Sequence, residues 1–426
     1  MLFRSQPEAM PMDSYPEASE FDDLIHFIQN GGSAEIQNEL PVNIRFKYGT
    51  VNSDGRLDLC KQGFRLAFAD SCDAVIQDGR KIPVNIRFKY GTINNDGRLD
   101  LCKQGFRNAF HASCEAVVQD KQEKGCKTTE PLIKHYLIGN NRIAEDGEVP
   151  GEGDRRVKAL ANMIRNRPDI ITWYLAGNSI DHEQIKCVSN ALEQTQAKYI
   201  WFKMNPVKTG SYHLGKLIMK NKHIELLDLF NCGLCNNGLA AFAEGLADGA
   251  AENSIPYSNL RHLYISINAI DSTSSLIKSL SLLPHLESLF IGVNPFSDTG
   301  LKEIASAFTD VIPCHKVLKR LNLGSMGLTD VSLPLIEKIV LACPNLVSLE
   351  LDSYKSTSYF CQPHNCFDVS NAATCMQLVK IAQALVQNAR NAGTTSMHYL
   401  GLQHALVVGD GSGAHKVATE QTKAIL

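Results

Sequence analysis

The stretch IELLDLFNCGL, residues 224–234, decides the fold of this chain. Apolar residues occupy its first, fourth, sixth and last positions, and Cys232 occupies the ninth. Because alternate residues of a short strand face the same side, we predict that Leu227 and Leu229 point into a core and that Asp228 points away from it. One such strand cannot bury its apolar face alone. The pattern therefore predicts a stack of similar units that share one continuous core.

The same frame recurs in order along the chain. With Asn in the ninth position, it fits residues 133–143, 170–180, 197–207, 260–270 and 286–296. Residues 318–328 keep the apolar positions but have Met326 in the ninth, and residues 346–351 and 397–407 keep only the apolar part. Repetition in register favours a solenoid over an ordinary α/β domain with coincidental strands.

The segments between these strands predict helices. After Phe296, the apolar residues Leu301, Ile304 and Phe308 recur at helical spacing, and Ser297 or Asp298 can cap the helix. With strands commonly about 27 residues apart, the array resembles the ribonuclease-inhibitor-like branch of the leucine-rich-repeat proteins over residues 131–408. The resemblance implies a curved α/β solenoid, with parallel strands on the concave side and helices outside, that holds another protein and performs no catalysis.

The spacing of the repeats is irregular. Leu349 and Leu400 lie 51 residues apart, which departs from the regular alternation of the mammalian inhibitor and leaves the partner open. An irregular array behind a short non-repeat region is also similar to leucine-rich effectors of intracellular bacteria. That second resemblance implies that the chain binds or inhibits another protein inside a host cell.

A tandem duplication precedes the array. Residues 41–79 recur as residues 83–121, and the pattern of each copy predicts an alternating strand, a turn and a helix. The residues that differ between the two copies of this helix share one face, whereas Phe68, Cys72 and Val75 on the other face are unchanged in the second copy. Each copy is either a strand–turn–strand–helix unit of an α+β cap or a degenerate repeat. In both cases we expect residues 41–121 to cap the solenoid.

The domain organisation follows from these patterns. Residues 1–40 are expected to be a disordered leader with a short helix, and residues 41–121 the duplicated cap. The solenoid covers residues 131–408, with an insertion at 352–371, and residues 409–426 form a flexible tail.

Composition excludes several classes of protein. The 426 residues carry a formal net charge of −3, which gives no general reason to bind nucleic acid or an acidic membrane. No apolar run is long enough for a membrane span, and the N-terminus lacks the apolar core of a secretory signal. We expect reduced cysteines and a cytoplasmic location, which is compatible with delivery into a host cell without a cleaved N-terminal signal.

The candidate site is the outward row of the concave sheet. Half of its central positions are aromatic, and aromatic side chains dominate protein interfaces. The alternative is that neighbouring rings only stack on one another. We expect a protein partner and no cofactor, metal, nucleic acid or small-molecule substrate, and we expect Trp201→Ala to weaken binding without unfolding the chain. The predicted partner-binding residues are Tyr174, Tyr199, Trp201, Phe230, Tyr264 and Phe290.

A competing hypothesis places an enzyme or a metal-dependent subunit in this chain. Its activity would lie in the duplicated region or in the insertion, where Cys361, His364 and Cys366 precede Cys375. Structural zinc prefers paired spacings such as C-x₂-C, so ordinary loop thiols explain these residues better.

Overall fold

The computed structural model describes most of the repeat array. The described residues are 133–252, 258–354, 364–393, 399–402 and 404–409, with strand residues 50–51, 57–58, 86–88, 91–93, 98–100 and 415–417 and helical residues 110, 114, 117–119 and 121–122. The expected leader, residues 1–40, most of the tail and residues 355–363 of the insertion lie outside them.

The strands are short, and most have three residues. They are β1 Thr50–Val51, β2 Leu57–Asp58, β3 Ile86–Phe88, β4 Gly91–Ile93, β5 Arg98–Asp100, β6 His135–Leu137, β7 Thr172–Tyr174, β8 Tyr199–Trp201, β9 Leu226–Asp228, β10 His262–Tyr264, β11 Ser288–Phe290, β12 Arg320–Asn322, β13 Ser348–Glu350, β14 Phe367–Asp368, β15 Tyr399–Gly401, β16 Leu406–Gly409 and β17 His415–Val417.

The helices alternate with the strands from β6 onward. They are α1 Glu152–Asn166, α2 Gln184–Leu192, α3 Ser211–Lys220, α4 Cys235–Ala251, α5 Ser274–Ser281, α6 Ser297–Asp310, α7 Leu333–Ala342 and α8 Ala372–Asn391, with 3₁₀ turns at Lys208–Gly210, Pro313–Lys316 and Asp330–Ser332.

One sheet connects the repeats of the described chain. It has twelve strands in the order β15-β13-β12-β11-β10-β9-β8-β7-β6-β5-β4-β3, and β5 to β13 and β15 pair in parallel along it. The chain is therefore a curved leucine-rich-repeat solenoid, as its sequence predicts. Parallel strands line the concave side, and helices form the convex side.

The repeat frame explains the core. In β9 the middle residue, Leu227, is fully buried, and so are Ile224, Leu229 and Cys232 in the other fixed positions. The corresponding residues of the neighbouring repeats join them in one continuous apolar cluster from Phe110 to Ala405. Each helix adds one apolar face to this cluster, and α6 buries the predicted Leu301, Ile304 and Phe308.

The residue in the ninth position holds adjacent repeats together. The Asn205 amide donates to the carbonyls of Leu175 and Phe202 at 2.9 and 2.7 Å, and its Oδ1 accepts from the N–H groups of Asn178 and Ile180 at 2.9 and 3.0 Å. These buried backbone groups lie where the chain turns away from the strand. Without the side chain they would have no partner in the sheet or in a helix.

The residue before the ninth position has a left-handed backbone conformation in many repeats. Asn140, Asn231, Ile267 and Val293 have φ between 53° and 59°, although β-branched residues rarely adopt this region. The sequence alone does not indicate this turn, because neither Ile nor Val favours it. The side-chain bonds from the ninth position stabilise it in each repeat.

The start of α6 differs from the prediction that Ser297 or Asp298 caps the helix. Neither side chain bonds to the first turn, and the residue before the helix is Phe296. The Asp298 carboxylate accepts hydrogen bonds from Thr329 in the next repeat instead, at 2.9 Å from its N–H and 2.7 Å from its hydroxyl. The acidic residue therefore links repeats and does not cap the helix.

The duplicated region contributes strands to the same sheet. In the second copy β3, β4 and β5 pair antiparallel, and β5 pairs in parallel with β6. Phe110, Cys114 and Val117 are buried, and these correspond to the unchanged helix face in the first copy. The opposite face of that helix lies outside the described residues. That residues 41–121 cap the solenoid stays a prediction.

Candidate functional site

The concave surface consists of two rows of side chains, one on each side of the buried middle residues. The registers of the parallel strands align both rows across the sheet. The row at the first strand position contains His135, Thr172, Tyr199, Leu226, His262, Ser288, Arg320 and Ser348. The row at the third position contains Leu137, Tyr174, Trp201, Asp228, Tyr264, Phe290, Asn322 and Glu350.

Apolar side chains of these rows, together with Ile171 just before β7, form a second cluster that is separate from the core. We name it the concave aromatic cluster. The ring centroids of Tyr174 and Trp201, and of Tyr199 and Trp201, are 6.1 Å apart, and those of Tyr264 and Phe290 are 4.6 Å apart. These separations are typical of interacting aromatic pairs. Its members are Ile171, Tyr174, Tyr199, Trp201, Leu226, Tyr264 and Phe290.

The burial of this cluster corrects the expectation that its rings are exposed. Trp201 is fully buried, and Tyr199 and Tyr264 are 5% and 4% exposed. Adjacent strands lie about 4.8 Å apart, so large side chains on neighbouring strands cover one another. Tyr174 and Phe290, at the margins of the cluster, are half-buried. Stacking therefore explains the centre of the row.

This burial also corrects the expected effect of Trp201→Ala. Replacing a fully buried indole leaves a cavity, and such substitutions typically cost about 3–5 kcal/mol of stability. The variant is therefore a poor test of binding. The half-buried margin of the cluster is the part that a partner can contact.

Phe230 is the one predicted residue outside the cluster. It follows β9, is half-buried, and its N–H donates to the Asp228 carboxylate at 2.9 Å. Its carbonyl accepts from the N–H of Met204 in the preceding repeat at 2.8 Å. Met204 is 42% exposed. Phe230 and Met204 therefore lie side by side in the turns that follow β8 and β9.

Asp228 is an acidic residue within an apolar surface. It lies between Trp201 and Tyr264 in the register and is 3% exposed. Burial raises the pKa of its carboxyl to about 6, although Lys203 and the N–H of Phe230 act in the opposite direction. Lys203 itself lies 5.6 Å from the ring centroid of Tyr174. A carboxyl group and a cation therefore accompany the rings at this place.

A charged cavity adjoins the aromatic cluster, at the ends where β8 to β12 begin. It has a volume of about 310 Å³ and shares Tyr199 with the cluster. The Glu287 carboxylate accepts from Arg261 at 2.8 Å and from Lys319 at 2.7 Å. The other residues that line it are Glu225, His262, Ser288 and Arg320.

This cavity was not predicted from the sequence, although the sequence contains a signal for it. Glu225, Arg261, Glu287 and Lys319 each occupy the position before a strand, in four successive repeats. Because these positions are equivalent, their side chains lie next to one another along the edge of the sheet. A comparison of the residue before each strand, repeat by repeat, would have predicted this row of alternating charges.

The far end of the concave surface is polar. The Asn322 amide donates to the Glu350 carboxylate at 2.5 Å and to the Tyr354 hydroxyl at 2.8 Å, and that hydroxyl donates to Glu350 at 3.0 Å. Asn322 and Glu350 are both 6% exposed. The concave surface thus changes from aromatic to acidic and polar along the array.

The predicted alternative of a zinc site in the insertion is not tested, since Cys361 lies outside the described residues. His364 is exposed, and Cys366 and Cys375 are half-buried. Within the described ranges, His, Cys, Asp and Glu form no group of three or more that could hold a metal ion.

Comparison with known proteins supports the repeat assignment. No protein-family model matches the chain. The chain is 31% identical over 211 residues to the Tonsoku-like protein of Danio rerio, covering 47% of this chain and 14% of that protein. It is 34% identical over 232 residues to the NACHT, LRR and PYD domains-containing protein 5 of Mus musculus, covering 46% and 18%. The Bos taurus protein of the same name is 28% identical over 218 residues, covering 49% and 19%.

The chain spans less than a fifth of the length of these relatives. A solved structure, "Crystal structure of TLR13-ssRNA13 complex", aligns over 56% of this chain and 39% of that chain, with 14% identity and a TM-score of 0.26. A TM-score this low does not by itself establish a shared fold. Among the helices that the structure describes, none is long and apolar enough to cross a membrane.

Proposed function

We propose that this chain is a non-enzymatic scaffold that binds a protein partner on its concave surface. The observation that carries the proposal is the concave aromatic cluster, an apolar surface in addition to the main core. The core already buries the middle residue of each strand, so the half-buried rings of Tyr174 and Phe290 at the margin of the cluster are not needed to complete it. Aromatic residues contribute large contact area to interfaces at a low cost in conformational entropy.

The buried and half-buried members of the cluster have different roles in this proposal. Trp201, Tyr199 and Tyr264 fix the positions of their neighbours, because they are packed on all sides. Tyr174 and Phe290 retain accessible ring surface and contact the partner. Phe230 and Met204 extend this surface along the turns. A binding surface held rigid in this way loses little conformational entropy when the partner binds.

The names of two relatives include leucine-rich repeats, which agrees with a scaffold role. These relatives come from vertebrates and give no support to the effector interpretation, so that interpretation is not part of the proposal. A location in the cytoplasm stays a prediction.

Affinity purification with variant proteins tests the proposal. Partners captured by the wild-type chain are quantified by mass spectrometry and compared with those of the double variant Tyr174→Ala/Phe290→Ala. We expect the affinity for specific partners to fall by about 2 kcal/mol or more, which is roughly thirtyfold. The fold should survive, because both side chains are only half-buried.

A matched control removes apolar surface from the convex side. Leu341 in α7 and Met376 in α8 are each 64% exposed, so Leu341→Ala/Met376→Ala deletes comparable side chains away from the concave surface. The control should capture partners as the wild type does. Equal capture by the concave variant, or equal loss in both variants, would contradict the proposal.

A further inference from the structure

We propose that the charged cavity is a binding site for a single carboxylate group, supplied by an acidic side chain of the protein partner. This inference rests on the proposed scaffold function, because it names the chemistry that the concave surface recognises. The cavity borders the aromatic cluster through Tyr199, so one partner segment can contact both.

Arg320 has a buried hydrogen-bond donor without an acceptor in the part of the cavity that the structure describes. Its side chain lines the cavity, and its Nη1 is buried without a hydrogen-bond partner among the described residues. A guanidinium group has five N–H donors in a planar fork that matches a carboxylate. A buried donor without an acceptor is unfavourable, and a bound carboxylate oxygen would remove that cost.

His262 is a neutral residue of the cavity lining that can donate a hydrogen bond. Its Nδ1 lies 3.0 Å from the hydroxyl of Ser288. Desolvation, followed by the nearby charges of Arg320, Arg261 and Lys319, lowers the pKa of the imidazole to about 3. The ring is therefore neutral at physiological pH, and in the tautomer in which Nδ1 accepts from the Ser288 hydroxyl its Nε2–H is a donor. His262 can then donate to an anion without adding a positive charge.

The charged residues that line the cavity favour a monoanion over a phosphate dianion. The lining contains the cations Arg261, Lys319 and Arg320 and the carboxylates Glu225 and Glu287, which leaves one net positive charge. Glu225 also pairs with Lys198 at 3.0 Å, and Glu287 with Arg261 and Lys319. Among the lining cations, Arg320 has no ion pair within the described residues, so a single carboxylate supplies the counter-ion that it lacks, whereas the second charge of a dianion would be repelled by the two glutamates.

The experiment is a titration that needs no partner protein. The ring resonances of His262 are followed by NMR in the full chain with isotope-labelled histidine, at pH 7.5, and are assigned with His262→Gln. Sodium acetate is added at an ionic strength held constant with sodium chloride. We expect a saturable shift of the His262 resonances. The absence of saturation, or tighter binding of inorganic phosphate than of acetate, would overturn the proposal.

Two variants connect the shift to the cavity. Arg320→Gln should weaken acetate binding at least tenfold, whereas Arg155→Gln, at an exposed position in α1, should leave it unchanged. Glu287→Gln should strengthen acetate binding, because it removes a competing carboxylate from Arg261 and Lys319. A damaged fold cannot produce tighter binding, so an unchanged or weaker affinity in Glu287→Gln counts against the site.

A second titration, with short peptides in place of acetate, identifies the source of the carboxylate. The blocked tripeptide Gly-Glu-Gly should bind at least as tightly as acetate, and Gly-Gln-Gly should not bind. If acetate binds and Gly-Glu-Gly does not, the site accepts only small free carboxylates and the partner assignment is wrong. If Tyr174→Ala/Phe290→Ala captures partners as the wild type does while acetate still binds, the scaffold function fails and the carboxylate site stands, so the two failures are distinguishable.

Discussion

At the scale of single residues, the ninth position of each repeat determines much of the stability. Asn268 accepts from the N–H groups of Cys232 and Leu234 at 2.9 and 3.2 Å and donates to the carbonyls of Leu229 and Ile265 at 2.9 Å. Cys232 fills the same position with a thiol, whose longer contacts reach Phe202 at 3.3 Å and Phe230 at 3.7 Å. A thiol is a weaker donor and acceptor than an amide.

We therefore predict unequal effects at these two positions. Asn268→Ala should lower the free energy of unfolding by about 3 kcal/mol or more, because the N–H groups of Cys232 and Leu234 and the carbonyl of Leu229 lose the side-chain partner that they have in the wild type. Cys232→Ala should cost about 1 kcal/mol. Urea denaturation measures both, and equal losses in the two variants would show that the side-chain bonds do not hold the repeats together.

Asp228 gives a prediction about pH. Its pKa is raised from 3.8 to about 6 in the folded chain, so its contribution to stability is fully present below pH 3.8 and is lost as the pH rises through 6. Asp228→Asn keeps an acceptor for the N–H of Phe230 and removes the buried charge. At pH 7.5 the variant should be more stable than the wild type by about 1–3 kcal/mol.

The prediction is tested by urea denaturation at pH 3.5 and at pH 7.5. The advantage of Asp228→Asn should be confined to the higher pH, whereas Asp310→Asn, at an exposed position in α6, should show no such advantage. If Asp228→Asn gains nothing at pH 7.5, the carboxyl group is not destabilised by its apolar surroundings.

The sequence predicted which residues face the core and which face the concave side, because that choice depends only on alternation along a strand. It did not predict the burial of Trp201, since burial depends on how closely side chains from separate repeats approach. It also did not predict Arg320 as a binding residue. Arg320 lines a charged cavity only together with Arg261 and Glu287, which come from other repeats.

At the scale of the elements, helix packing varies along the convex side. α3 and α4 approach each other closely through glycine. A Cβ atom on Gly215 would collide with the carbonyl oxygen of Phe242, and one on Gly245 with that of Tyr212. The Tyr212 hydroxyl donates to Asp248 at 2.7 Å across the same interface. The close approach therefore depends on the missing side chains.

Gly245→Ala should destabilise the chain, although the same change at an open helical position stabilises by about 0.5–1 kcal/mol. We expect a loss of about 3 kcal/mol in the free energy of unfolding, because backbone atoms must separate. Ala247→Gly in the same helix is the control and should cost only about 1 kcal/mol. Wild-type or higher stability in Gly245→Ala would contradict the packing of α3 against α4.

The repeat that contains β13 shows the limit of prediction at this scale. Its ninth position is filled by Asn365, which lies inside the insertion at 352–371. Asn365 Oδ1 accepts from the N–H groups of Met326 and Leu328 at 2.9 and 3.0 Å, and its amide donates to Leu323 and Leu351. Sequence spacing could not identify it, because the inserted residues after β13 move it away from the ninth position of the repeat frame. The repeat motif is complete in the structure, where Asn365 lies next to the turn that follows β13.

At the scale of the whole molecule, the stacking of repeats produces a surface that no single repeat contains. The aromatic cluster spans β7 to β11, the charged cavity lies beside it where β8 to β12 begin, and the polar end around Glu350 follows on the same sheet. A partner that binds this surface must match an apolar zone beside a site for one carboxylate. We therefore propose that the arrangement of these zones determines which partner binds.

Photo-crosslinking in the full chain tests the central claim most directly. A benzophenone amino acid replaces Phe290 on the concave side or Leu341 on the convex side, and cross-linked proteins are identified by mass spectrometry after irradiation. We predict that the concave probe cross-links a specific protein and that the convex probe does not. Cross-links to the same partner from position 341, with none from position 290, would contradict the claim that the concave surface is the binding surface.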